Sequence, residues 1–287
     1  MAKIAALDGT TLHVEESGSG TPVVFIHEFA GDHRSWEPQV CFFARSHRCV
    51  TFAARGYPPS DIPTDPAAYS QEIACGDVLA VINALGIEKA HVVGHSMGAY
   101  TALHVGLDYP ERCLSVGALG CGWGSSPAER DASVRTCEEI ARMFQSEPIE
   151  VAAANYAGAP MRHTFQAKDP RGFTEFKRML AEHSGTGSAL TMLNLQLKRP
   201  TLWDLEKRLR GFTVPLLVIV GDEDFPCLDG SLFLKRVAPT AGLLVIPRAG
   251  HTINSEEPAA VNGALAELFA AAEVGRWMFH RRLSGGA

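Results

Sequence analysis

One serine stands between two glycines in the run Val92-Val93-Gly94-His95-Ser96-Met97-Gly98. A β-branched stretch that ends in Gly-x-Ser-x-Gly ahead of a helix-forming segment turns sharply from strand to helix and lifts the serine hydroxyl out of the backbone. The small flanking glycines let neighbouring chain approach the turn. Ser96 is therefore a candidate nucleophile. A helix starting near Met97 aims its free N–H groups and the positive end of its dipole toward the serine oxygen, which suits a developing oxyanion. A nucleophilic serine needs a base and a group that orients the base. Downstream, Gly221-Asp222-Glu223-Asp224 follows the apolar run 214–220, and Arg248-Ala249-Gly250-His251 follows the apolar run 243–247. Asp224 and His251 complete a candidate triad, with Asp222 the rival acid.

The elements that must hold these residues can be read from pattern. Apolar runs at 11–15, 22–26, 48–53, 90–93, 114–119, 214–220 and 242–246 suit buried strands, with a hairpin at Asp8-Gly9 joining the first two strands. Helix-like segments fall at 33–45, 70–85, 97–108, 230–237 and 257–273, with Asp32 and Ser70 placed to cap two of them. Alternation of strands and helices predicts an α/β fold with a mostly parallel central sheet and helices on both faces. In such sheets, sites collect at the carboxyl ends of the strands, where all three candidate residues fall. The rhythm breaks between 123 and 210, which predicts a helical cap inserted into a core formed by 1–122 and 211–287. The low-complexity segment singled out is the tail Ser284-Gly285-Gly286-Ala287.

With these motifs in place, the chain resembles the α/β-hydrolase superfamily over nearly its whole length, and is most similar to capped serine esterases and lactonases. The resemblance rests on VVFIHEFAG (23–31), AARGYPPSD (53–61), GHSMG (94–98), GDEDFPC (221–227) and AGHTINSEEP (249–258). It implies Ser96 as nucleophile, His251 as base and Asp224 as acid, in the chain order Ser, acid, His of that superfamily. It also implies an oxyanion hole from the backbone N–H groups of Met97 and Phe29. The other acid position used in some relatives, after the run 114–119, holds Gly120-Cys121-Gly122 here. One departure stands out: the family usually has His-Gly where this chain has His27-Glu28. Glu28 either acts near the reaction centre, positioning water or a polar substrate group, or points away and pairs with a cation such as Arg34. His27 is expected to brace its loop and His95 to turn away from Ser96 as packing. Trp123 is expected at the pocket wall and His163 within reach of substrate. Arg162 and Lys168 are read as solvated surface.

Composition sets the remaining bounds. A net charge of -6 over 287 residues, without a long basic cluster, argues against nucleic acid or an anionic membrane as partner. No stretch reaches the ~18 apolar residues of a membrane span, and the start does not read as a signal peptide, so the expected location is cytoplasmic. Seven cysteines without a C-x-x-C pair indicate neither a disulfide framework nor a zinc ribbon. The expected function is hydrolysis of a small, largely apolar carboxylic ester or lactone through an acyl-enzyme, with no metal and no organic cofactor. A homodimer is left open. Carbon–carbon bond hydrolysis by the same triad and a slow or inactive small-ligand receptor remain as alternatives, whereas a haloalkane dehalogenase would want an aspartate in place of Ser96.

Overall fold

The computed structural model describes residues 1–277, so the glycine-rich tail lies outside the described residues. Eight strands form one sheet: β1 (Ala2–Ala5), β2 (Thr11–Ser17), β3 (Thr21–Ile26), β4 (His47–Phe52), β5 (Ala90–His95), β6 (Cys113–Leu119), β7 (Leu216–Gly221) and β8 (Ala241–Ile246), in the order β1-β2-β4-β3-β5-β6-β7-β8. The hairpin expected at Asp8-Gly9 joins β2 to β1, a four-residue strand that is not among the apolar runs because only Ile4 of it is buried, and β2 also runs antiparallel to β4. From β4 to β8 every pairing is parallel. Side chains on successive strand residues alternate between faces. In β3, Val24 and Ile26 enter one core cluster while Val23 and Phe25 enter another, which is why the strand reads as an unbroken apolar run.

One face is covered by α1 (Glu37–Phe43), the other by α2 (Gln71–Ala84) and α3 (Met97–Asp108). Asp32 caps the 3-10 turn that leads into α1, and Ser70 caps α2 through a bond from Ile73 N. Between β6 and β7 the chain forms α4 (Arg130–Ser146), α5 (Ile149–Ala157), α6 (His163–Lys168), α7 (Pro170–Leu180), α8 (Gly185–Leu190), a π-helical turn (Thr191–Gln196) and α9 (Glu206–Leu209), with no strand. Phe144, Phe165, Phe173, Phe176 and Leu180 of this segment share one apolar cluster with Phe29, Tyr57 and Met97 of the core. The helical segment therefore lies over the carboxyl ends of β3 and β5.

After β7 come α10 (Phe225–Val237), α11 (Ile253–Glu256) and α12 (Pro258–Glu273). The helix expected at 230 starts five residues earlier, because Pro226 falls in the first turn, where its missing N–H has no intrahelical acceptor to lose. α10 joins the face of α2 and α3, and α12 joins that of α1. No helix among the described residues is long and apolar enough to cross a membrane.

Candidate active site

Ser96 follows the last residue of β5 and is the N-cap of α3, with φ 52 and ψ -108. An ordinary side chain at positive φ is strained, and such strain persists only where the surroundings enforce it. They do so here: Ser96 N donates to Leu119 O at 2.8 Å. A Cβ on Gly94 would stand 2.0 Å from Gly98 O, and one on Gly98 would stand 2.1 Å from Ile26 O. Only glycine at both positions lets β3, the turn and α3 pack this closely. Among the described residues, neither the Met97 N–H nor the Phe29 N–H is used by a hydrogen bond within the chain. Both are free to serve as donors.

Asp224, fully buried, is the N-cap residue of α10, directly after β7. His251 follows β8, and its Nδ1 lies 2.8 Å from Asp224 Oδ2. Asp222, the rival acid, accepts instead from Ala249 N at 3.4 Å and serves the β7–β8 loops. Cys227, one turn into α10, places its Sγ 3.7 Å from His251 Nδ1, and burial holds its thiol far above the ordinary range. Ser96 and His251 line the same cavity, of about 290 Å³. The structure thus joins Asp224 to His251 by a hydrogen bond and brings Ser96 and His251 to one cavity.

Glu28 is the feature that alternation and spacing could not resolve. It does not pair with Arg34, which is held by Asp32 at 2.6 Å and Glu182 at 2.7 Å. Glu28 is buried, and Arg162 grips it with Nη2 on Oε2 at 2.7 Å and Nη1 on Oε1 at 3.1 Å. Arg162 Nη1 also donates to Thr252 Oγ1 at 2.5 Å. Glu28 Oε2 stands 3.8 Å from His251 Nε2, and Oε1 stands 3.9 Å from His95 Nδ1. Burial opposes ionisation of Glu28, but Arg162, with His95 and His251, outweighs it and holds the carboxyl below the usual carboxylate range. The expectation that Arg162 is solvated is overturned, since its side chain is fully buried beneath α7 with Phe176 against the guanidinium. Lys168 reaches Glu256 and Glu257 and is only part-exposed.

Two histidines hold the surroundings in place. Ala54 N donates to His27 Nε2, which leaves the proton on Nδ1 to donate to Glu28 O at 2.7 Å and brace the loop as expected. His95 is packed, but against His251: its Nε2 donates to His251 O at 2.7 Å, and burial lowers its pKa to about 4. From the β6–β7 segment, Met161 O accepts from His251 N at 2.8 Å. That segment is thereby bolted to the loop that carries His251.

A family model for the alpha/beta hydrolase fold matches residues 21–258. The chain belongs to that family. This hydrolase is 33% identical to "Epoxide hydrolase 2" of Siraitia grosvenorii over 91% of its own length and 95% of the relative's. It is 26% identical to "2-hydroxy-6-oxo-6-phenylhexa-2,4-dienoate hydrolase" of Burkholderia cepacia, over 92% of this chain and 93% of that one. The solved enol-lactonase of Burkholderia xenovorans LB400 superposes with a TM-score of 0.80 at 21% identity, covering 94% of this chain and 100% of that one.

In this hydrolase the cavity wall is mostly apolar, with Trp123 where the sequence placed it, together with Ile140, Met143, Tyr156 and Met161. His163 is a correction: it is exposed, its Nε2 lies 3.3 Å from Gly158 O, and it does not line the cavity. As the first residue of α6 it faces out, whereas Met161 and Arg162, just before it, face in. Asn155, Gln196 and Thr136 also line the cavity and were not anticipated. Gln196 ends the π-helical turn, a distortion that often marks functional sites and has no simple sequence period.

Proposed function

We propose that the protein is a serine hydrolase that cleaves a carboxylic ester or lactone of a small, largely apolar substrate through an acyl-enzyme. The observation that carries this reading is Ser96 at positive φ, in one cavity with a His251 whose Nδ1 is hydrogen-bonded to buried Asp224. His251 Nε2 takes the Ser96 proton as Oγ attacks the carbonyl carbon, and Asp224 fixes the imidazole tautomer and stabilises the imidazolium. The N–H groups of Met97 and Phe29 receive the oxyanion. His251 then protonates the leaving alkoxide. Water, activated by the same base, frees the acid and restores Ser96. The segment 123–210 serves as a cap whose apolar wall selects the substrate, and a cavity near 290 Å³ favours short chains.

A relative's name points to epoxides, but the chemistry of Ser96 argues for acyl transfer. Attack of a serine oxygen on an epoxide carbon leaves an ether, which has no carbonyl for water to attack, so turnover would stop. Cleavage of a carbon–carbon bond next to a carbonyl needs the same serine, base and oxyanion donors, and the Burkholderia cepacia relative keeps it as the second reading. A p-nitrophenyl ester series, short to medium acyl chains, tests the first reading. Hydrolysis that peaks at short chains and is lost in Ser96→Ala supports it. Inactivity of folded protein toward every ester, with turnover of a vinylogous diketone, favours the second.

A further inference from the structure

At the opposite edge of the sheet from Ser96, two imidazoles converge on one carboxylate oxygen. Val23 pairs with Cys49 on one side and with His91 on the other, so these residues form a row across β4, β3 and β5. His47 lies two residues before Cys49 and therefore shares its face. That face is covered by α12, which ends at Glu273. Glu273 Oε1 lies 3.3 Å from His91 Nε2 and 3.7 Å from His47 Nε2. The far nitrogen of each ring is held by a serine: His91 Nδ1 by Ser115 Oγ at 2.7 Å and His47 Nδ1 by Ser46 Oγ at 2.9 Å. Phe269 stacks on the His91 ring at 4.2 Å.

We propose that His47, His91 and Glu273 form a site for a divalent transition-metal cation, Zn²⁺ fitting best, that staples the end of α12 to β4 and β5. A tetrahedral zinc bound at about 2.0–2.2 Å sets its ligand atoms roughly 3.3–3.5 Å apart. The His91–Glu273 separation already meets that spacing, and all three ligand atoms lie within 4.8 Å of one another. Closure falls to His47 and Glu273, whose side chains are 16% and 36% exposed, while His91 is fixed in the core. Two imidazoles and one carboxylate suit zinc and its neighbours rather than calcium or magnesium, which take oxygen ligands. Serine hydroxyls on both Nδ1 atoms give the orientation that bound imidazoles need. A second cluster, His13, Glu15 and His33, lacks this support, because the buried His33 Nδ1 has no hydrogen-bond partner and only Asp32 Oδ1 at 3.8 Å. A third, Asp224, Cys227 and His251, is the candidate triad with its neighbouring thiol.

The test is calorimetric titration of EDTA-treated protein with ZnCl₂, with thermal unfolding read in parallel. The expected result is one equivalent bound with a Kd at or below about 1 µM. His47→Asn and Glu273→Gln, both less buried than His91, should each weaken binding at least about tenfold. Zn²⁺ should raise the Tm of the parent protein and not that of Glu273→Gln. Cys227→Ala and His33→Asn should leave Kd unchanged. Failure to bind, binding that survives both His47→Asn and Glu273→Gln, or binding that is lost with Cys227→Ala or His33→Asn would overturn the proposal.

Discussion

Replacing Arg162 by methionine isolates the electrostatics of the site. The change keeps apolar bulk beneath α7 but leaves Glu28 buried beside two histidines without its guanidinium. Breaking a buried pair by removing one partner costs about 3–5 kcal/mol, because the remaining charge is desolvated and unpaired. The pH dependence should also reverse. In the parent protein Glu28 is held below the usual carboxylate range, so its contribution to stability is present above the unfolded pKa and is lost only as the solution turns strongly acid. Without Arg162, burial dominates and the folded protein binds a proton at Glu28 or shares it with His95. A group raised in this way contributes stability below its unfolded pKa and loses it as pH rises. Stability of the variant should therefore fall by up to about 1.4 kcal/mol per pH unit above that point, until the new folded value is reached. Urea unfolding at pH 5 and pH 7.5 measures this directly. The parent should show no such fall from this group, Arg162→Met should be less stable at pH 7.5 than at pH 5, and Glu28→Gln added to Arg162→Met should recover much of the loss. A single variant whose stability is flat between the two pH values, or a double variant no more stable than the single, would refute the reasoning.

Other consequences are simpler. Asp224→Asn should keep the fold and lower kcat by about 10⁴ with little change in KM, measured on the best p-nitrophenyl ester, because the amide stabilises the wrong imidazole tautomer. Met143→Ala should open the cavity wall, and acyl chains one or two carbons longer should gain about tenfold in relative kcat/KM. His163→Ala should leave kcat/KM unchanged and shift unfolding free energy by no more than about 0.5 kcal/mol, since the ring is exposed and off the cavity.

What was legible in the sequence follows from the range of each interaction. The elbow is local: Gly94 and Gly98 are dictated by backbone approaches of about 2 Å that any side chain would block, so the motif announces itself. Asp224 and His251 were found because strand ends are marked by apolar runs, and a parallel sheet gathers those ends on one edge. The Glu28–Arg162 pair joins residues 134 apart, and nothing near Arg162 distinguishes a buried guanidinium from a solvated one. Which of Met161, Arg162 and His163 faces the cavity depends on how one short turn meets the His251 loop through Met161 O. His47, His91 and Glu273 meet only because β3 enters between β4 and β5, an order set by topology rather than by local pattern.

In the proposed reaction Ser96 carries the acyl group. The most direct measurement is intact and peptide mass spectrometry of protein quenched during turnover of a p-nitrophenyl ester. The expected result is an added acyl mass that maps to the peptide containing Ser96, accumulates further in His251→Ala given a reactive ester, and is absent from Ser96→Ala along with hydrolysis. Hydrolysis that persists in Ser96→Ala, or an acyl mass on any other residue during turnover, would contradict it.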